Sequence, residues 1–130
     1  VLLISFANDQ TTDELGMGPR YLQATGCTVY NIDTRIRYLK EAHCGDQLRV
    51  DMLLIDADAK RLHLHSTIYN DTTNAPLAVN ESVLLHVDQA AGPAVAPFPE
   101  GVAGRVAGRL KRDAAFEPHL RVGGVGIRRR

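Results

Sequence analysis

The sequence carries no excess of either charge: 15 lysines and arginines balance 15 aspartates and glutamates. A general nucleic-acid binder normally carries a basic surplus, so that class is set aside. Cysteine is scarce as well. Cys27 and Cys44 are too few for a disulfide framework and lack zinc-ligand spacing, which predicts two free thiols in a reducing compartment. No apolar stretch approaches the roughly 20 residues of a membrane span. The apolar start has no basic region before it and runs straight into Asn8, Asp9 and Gln10, so it does not read as a secretory signal. A cytoplasmic protein with no membrane and no nucleic-acid partner is expected. The common catalytic signatures are also wanting: no glycine-rich phosphate loop, no G-x-S-x-G elbow and no H-E-x-x-H. Gly123, Gly124 and Gly126 precede no helix of the kind a dinucleotide site needs.

What is present suits one globular domain of 130 residues, 45% hydrophobic and 23% charged. A chain of this size buries roughly two-thirds of its unfolded surface and needs no covalent staple. Residues 1–15 read as a helix with Leu2, Phe6, Asp9 and Asp13 on one face, and Leu3 and Ala7 beside them. Gly16, Gly18 and Pro19 end it. The early turns are apolar nearly all round, which predicts a buried helix.

Four stretches of period-two alternation follow, over residues 28–40, 47–55, 61–69 and 77–87. Gly45-Asp46, residues 56–60 and residues 71–76 form the connections. Short connections imply antiparallel neighbours, so a meander is expected. The sheet must cover its apolar face, and the first helix is the long apolar element available. The predicted fold is α+β, an antiparallel sheet wrapped around one central helix. A helix over residues 100–112 is weakened by Gly101, Gly104 and Gly108. Residues 1–112 are expected to form the domain. Residues 113–130 read as a flexible, basic Gly/Arg-rich tail ending in Arg128, Arg129 and Arg130.

Glu81 stands out because Val79, Val83 and Leu85 share its strand face. A buried carboxylate must be paired, protonated or beside a wet cavity. It either ties the sheet to the helix or borders an active site. Asp9 shares a helix face with Leu2 and Phe6, so it is expected to point toward the sheet, where it could orient water or take a proton. The alternative is a surface residue marking the end of burial. Asn8 is placed to position a carbonyl. His63 and His65 alternate with apolar residues, but no acidic or thiol set accompanies them in sequence, so no metal site is expected. His86 lies on the other side of its strand from Glu81 and reads as structural. Lys60 and Arg61 sit on a hairpin, where adjacent cations can hold a phosphate or simply face solvent.

Several stretches resemble a known family. Tyr38-Leu39-Lys40-Glu41-Ala42 with Gly45-Asp46 is similar to the third-strand region of the 4-hydroxybenzoyl-CoA thioesterase-like group. Asp58-Ala59-Lys60-Arg61-Leu62-His63-Leu64, Asn80-Glu81 and Leu84-Leu85-His86-Val87-Asp88 resemble the betainyl-CoA thioesterases of carnitine degradation, and the similar domain fused to some carnitine dehydrogenases. The resemblance implies a hotdog fold and an acyl-CoA thioester hydrolase acting on betainyl-CoA, with no cofactor, since CoA is part of the substrate. It implies a homodimer or dimer of dimers that pairs the first long strand across a two-fold axis. Lys60 and Arg61 match the position where relatives hold CoA phosphates. The family's usual aspartate lies in a D-x-x-G-H-type segment before the central helix. Val1 already falls inside that helix, so the first strand, that aspartate and part of the oxyanion site are expected to be absent from residues 1–112. Asp9 and Glu81 are then the catalytic candidates, with Asn8, Phe6 and Tyr30 lining the acyl pocket. The competing expectation is a catalytically silent hotdog module that binds a CoA ester or a protein partner.

Overall fold

A computed structural model describes residues 2–118 and 120–127, for Leu2 the backbone alone. The basic run at residues 128–130 lies outside the described residues. Helix α1 spans Leu2–Glu14 and stops at Gly16, whose φ of 87° favours glycine. The chain then starts a second helix that the sequence reading did not foresee. Pro19 was read only as a stop, yet it opens α2, Pro19–Thr25, because a missing N–H costs nothing in a first turn.

Strands β1 (Cys27–Tyr38), β2 (Leu48–Ala57), β3 (Arg61–Asn70) and β4 (Pro76–Asp88) fall where the alternation places them. The short β5 (Ala94–Val95) pairs with β4, and α3 runs from Glu100 to Asp113. The strand order is β1-β4-β3-β2, antiparallel throughout. The expected meander therefore holds from β2 to β4 but not from β1 to β2. Residues 39–47 cross the end of the sheet instead, anchored where the Leu39 and Lys40 N–H groups donate to the Leu77 carbonyl. Three strand spacings amount to about 14 Å, which a loop of that length can bridge. Among the described residues, β1 and β2 each keep one unpaired edge.

Register decides the two faces. Leu62 stands opposite Leu84, and Leu64 opposite both Ser82 and Leu54. This face meets Leu15 and Met17, which follow from α1, and Phe98, Val102 and Val106 at α3, forming the main core. α3 adds to the cover that α1 provides. A helix about 10 Å wide cannot span four strands alone. The Val79, Glu81 and Val83 side of β4 is the opposite, outer face, which it shares with His63, His65 and Thr67.

The inward face of α1 also differs from expectation. Ile4, Asn8, Thr11, Thr12 and Leu15 are buried, at helical spacing, while Phe6 is 64% exposed and Asp9 and Asp13 face solvent. Thr11 and Thr12 donate their hydroxyls to Ala7 and Asp9 carbonyls within the helix, which lets threonine stand where apolar residues were expected.

Candidate functional site

Three places in this fold gather polar or apolar groups in a way chemistry could use. The first is the outer face around Glu81. Glu81 is fully buried. His63 Nε2 donates to its Oε1 at 2.8 Å, Arg121 reaches both carboxylate oxygens at 3.1–3.2 Å, and the Val122 N–H donates to Oε2. Burial opposes ionisation, but the Arg121 hydrogen bonds, the Val122 N–H, the Arg121 charge and His63 outweigh it and hold the carboxyl below its ordinary range. Burial is also what chiefly pushes the His63 imidazole below its ordinary value, against the pull of Glu81. Glu81 thus ties the sheet to the C-terminal segment, on the face away from the helices. The sequence reading treated residues 113–130 as a loose tail. Instead Asp113 closes α3, and residues 120–124 are bound to the sheet. Pairing across strands, invisible in a linear pattern, created this cradle.

The second place is a cleft of about 620 Å³ at the start of α1. Leu3, Leu48, Ile68 and Leu77 make its apolar wall, Tyr38 brings a phenol from the end of β1, and Glu41 brings a carboxylate from the crossing segment that follows. The sequence reading quoted Tyr38 and Glu41 only as part of a resemblance. Their meeting with α1 depends on the crossing of residues 39–47. The third is a groove of about 880 Å³ along the free edge of β2, flanked by Phe6, Gln10, Arg109 and Phe116.

Of the residues singled out in the sequence, few converge. Asn8 lies buried under α1, its Oδ1 without a hydrogen-bond partner among the described residues, as is Ser66 Oγ. Phe6 flanks the β2 groove. Asp9 is exposed on the helix, which corrects the expectation that it faces the sheet. Tyr30 lies on the outer face in the row of Leu85 and Arg61, its hydroxyl accepting from Gln89 Nε2. Arg61 pairs with Asp58 at 2.6 Å, and Lys60 is exposed on the hairpin beside it. That hairpin is at the far end of β3 from Ile68, about 23 Å away at about 3.3 Å per residue. His86 is structural, as expected: its Nδ1 donates to the Ala96 carbonyl, so Nε2 accepts from the Tyr21 hydroxyl at 2.7 Å. Among the described residues no group of three or more His, Cys, Asp or Glu side chains is arranged to hold a metal ion, and no helix is long and apolar enough to cross a membrane.

Known proteins share this architecture. Residues 1–106 match the thioesterase-like superfamily. A betainyl-CoA thioesterase of Pseudomonas aeruginosa is 32% identical over 106 residues, covering 82% of this chain and 66% of the relative. An L-carnitine dehydrogenase/betainyl-CoA thioesterase of a Rhizobium species is 44% identical over 77 residues, covering 59% of this chain and 15% of the relative. The chain therefore spans less than two-thirds of the length of either relative. A Staphylococcus aureus protein solved in complex with CoA superposes with a TM-score of 0.83 at 21% identity, covering 99% of this chain and 80% of that one. A 1,4-dihydroxy-2-naphthoyl-CoA thioesterase from Synechocystis gives a TM-score of 0.67 at 17% identity, covering 82% and 80%. At these identities the structural likeness speaks for the fold, and the expected hotdog fold is borne out. With a helix laid on an antiparallel sheet ordered β1-β4-β3-β2, and a family match running over residues 1–106, the chain belongs to the thioesterase-like superfamily.

Proposed function

We propose that this chain hydrolyses acyl-CoA thioesters, with betainyl-CoA as substrate and betaine and free CoA as products. The observation that carries this reading is the 32% identity over 106 residues to a betainyl-CoA thioesterase. The cleft at the start of α1 supports it. The apolar wall of Leu3, Leu48, Ile68 and Leu77 suits a short acyl group. Neither Asp9 nor Glu81 is among the residues lining this cleft, whereas Glu41 is. We assign Glu41 the role of general base toward the attacking water, in place of the two carboxylates singled out in sequence.

The same reading includes self-association and a cytoplasmic setting. The unpaired edge of β1 carries Tyr30, Ile32 and Tyr38, exposed by 39%, 51% and 73%, and such an edge favours pairing with a second copy. Lys60 and Arg61 enter as phosphate contacts only across that subunit boundary, because their hairpin is remote from the cleft. Incubating the protein with betainyl-CoA and a panel of other acyl-CoA esters, and following release of the CoA thiol, tests the proposal. Thiol release fastest from betainyl-CoA is expected. Binding of CoA esters with no thiol release from any would favour the second reading, a catalytically silent module. That alternative draws on the commitment of Glu81 to the C-terminal segment and on the exposure of Asp9.

A further inference from the structure

The C-terminal segment crosses the outer face along a single row of paired residues. His65 stands opposite Glu81, and Glu81 opposite Arg35. The segment meets each in turn: the Leu120 carbonyl accepts from His65 Nε2 at 2.6 Å, Arg121 and the Val122 N–H bind Glu81, and the Gly123 carbonyl accepts from Arg35 at 3.1 Å. It thus runs across β3, β4 and β1, roughly perpendicular to the strands. Gly124, with φ of 81°, takes a left-handed backbone turn just beyond these contacts, a conformation that favours glycine. These hydrogen bonds and ion pairs line up in one row, and the central ones end on a carboxylate that is wholly buried.

An ionised carboxylate this buried is costly to leave without a counter-charge. In the docked state Arg121 supplies it. When the segment lifts, Arg121 leaves, and His63, already at 2.8 Å, is the group in contact with Glu81 that can gain a positive charge. We propose that residues 120–124 form a strap released by protons: His63 takes up a proton and replaces Arg121 as the counter-charge of Glu81. This proposal is independent of the thioesterase reading.

Other titratable and charged groups surround the pair. Arg35 lies opposite Glu81 on β1, with Asp33 and Arg37 two residues to either side. Asp56 lies opposite His63 on β2, and His65 is the next residue on the same face of β3. Arg61, two residues before His63, is ion-paired with Asp58. Arginine and aspartate side chains as a class titrate outside the range from pH 5 to 8, whereas an imidazole titrates within it. While the strap is docked, burial and the nearby Arg121 charge disfavour imidazolium at His63. Its docked value therefore lies below the ordinary 6.5. Lifting exposes the ring and removes Arg121, both of which favour the proton. Docking is then at full strength above about pH 6.5 and is lost as pH falls through the lower, docked value.

Amide hydrogen exchange at Val122, read by NMR from pH 8 to pH 5 and divided by the intrinsic rate, measures strap opening directly. We expect the opening constant to rise by up to about tenfold per pH unit below 6.5. His63→Gln, which can still donate to Glu81 but cannot gain a proton, should flatten this rise. Protection of the β3 amides serves as the check that the sheet is intact. Arg121→Gln should raise opening already at pH 8. A pH-independent opening constant in the unmodified protein would overturn the proposal without any variant. An unchanged slope in His63→Gln with the β3 amides still protected would overturn it equally.

Discussion

Asp113 accepts a hydrogen bond from the backbone N–H of Leu54 at 2.9 Å, although 59 positions separate them. The same carboxylate takes Arg109 Nε at 2.7 Å and Arg112 Nε at 3.1 Å, and Arg109 in turn reaches Glu14 at the end of α1. Asp113 thereby joins α3 to β2 beside the register shift between Leu54 and Asp56. Burial opposes its ionisation, but the Leu54 N–H and the two arginines outweigh that and lower its pKa.

Asp113→Ala should lower stability by about 2–3 kcal/mol, since it leaves a buried N–H unpaired and Arg109 without its closest partner. Urea denaturation checks this as a fall in midpoint at constant slope. The pH dependence follows the sign of the shift. A carboxyl with a lowered folded pKa contributes fully above its ordinary value of 3.8 and loses that contribution as pH falls through the folded value. The acid limb of the stability profile should therefore be shallower in Asp113→Asn than in the unmodified protein.

Glu81→Gln should cost far more than Asp51→Asn. Glu81 is fully buried, with His63, Arg121 and Val122 depending on it, whereas Asp51 is 56% exposed in a surface pair with Arg49. About 1–3 kcal/mol is expected for the first and less than about 1 for the second. Thermal melts of both variants decide it, and equal small shifts would count against the tie between sheet and strap.

Tyr21→Phe removes the donor to His86 Nε2 while keeping the ring that packs 5.8 Å from the imidazole. A loss of about 1 kcal/mol is expected, with the buried acceptor left unpaired. Chemical denaturation at neutral pH measures it.

Glu41→Gln tests the assigned base. A drop of about 10²–10⁴-fold in kcat on betainyl-CoA is expected, with KM little changed. An unaltered kcat would remove Glu41 from the reaction and leave the thioesterase reading to be judged on activity alone.

Ile32→Lys places a charge at the β1 edge, where the side chain is 51% exposed at the register shift between Asn31 and Asp33. It should weaken self-association at least tenfold in sedimentation equilibrium while leaving the fold intact, because edge lysines disfavour strand pairing.

Much of the fold was legible because strand alternation and turn residues are local properties. The places of β1 to β4 and of α3 follow, to within about two residues at each end, from period, glycine and proline. The site was less legible. Glu81 stands out in sequence as a carboxylate to be paired, protonated or set beside a wet cavity, but no pattern within β4 could name His63 on β3 or Arg121 some 40 positions on. Asp9 was placed inward because apolar residues were assumed to mark the buried side of α1. Threonines that satisfy their hydroxyls within the helix overturned that assumption.

The sequence by itself therefore determined the two long helices and the four long strands, and which residues could not be buried alone. Those outcomes rest on backbone preference and on the cost of desolvating a charge, both set residue by residue. The tertiary structure decided that β1 lies beside β4, that Glu81 faces away from the helices, and that the C-terminal segment supplies its counter-charge. Those outcomes depend on strand register and on a loop crossing the sheet, which bring distant residues together and leave no periodic trace along the chain.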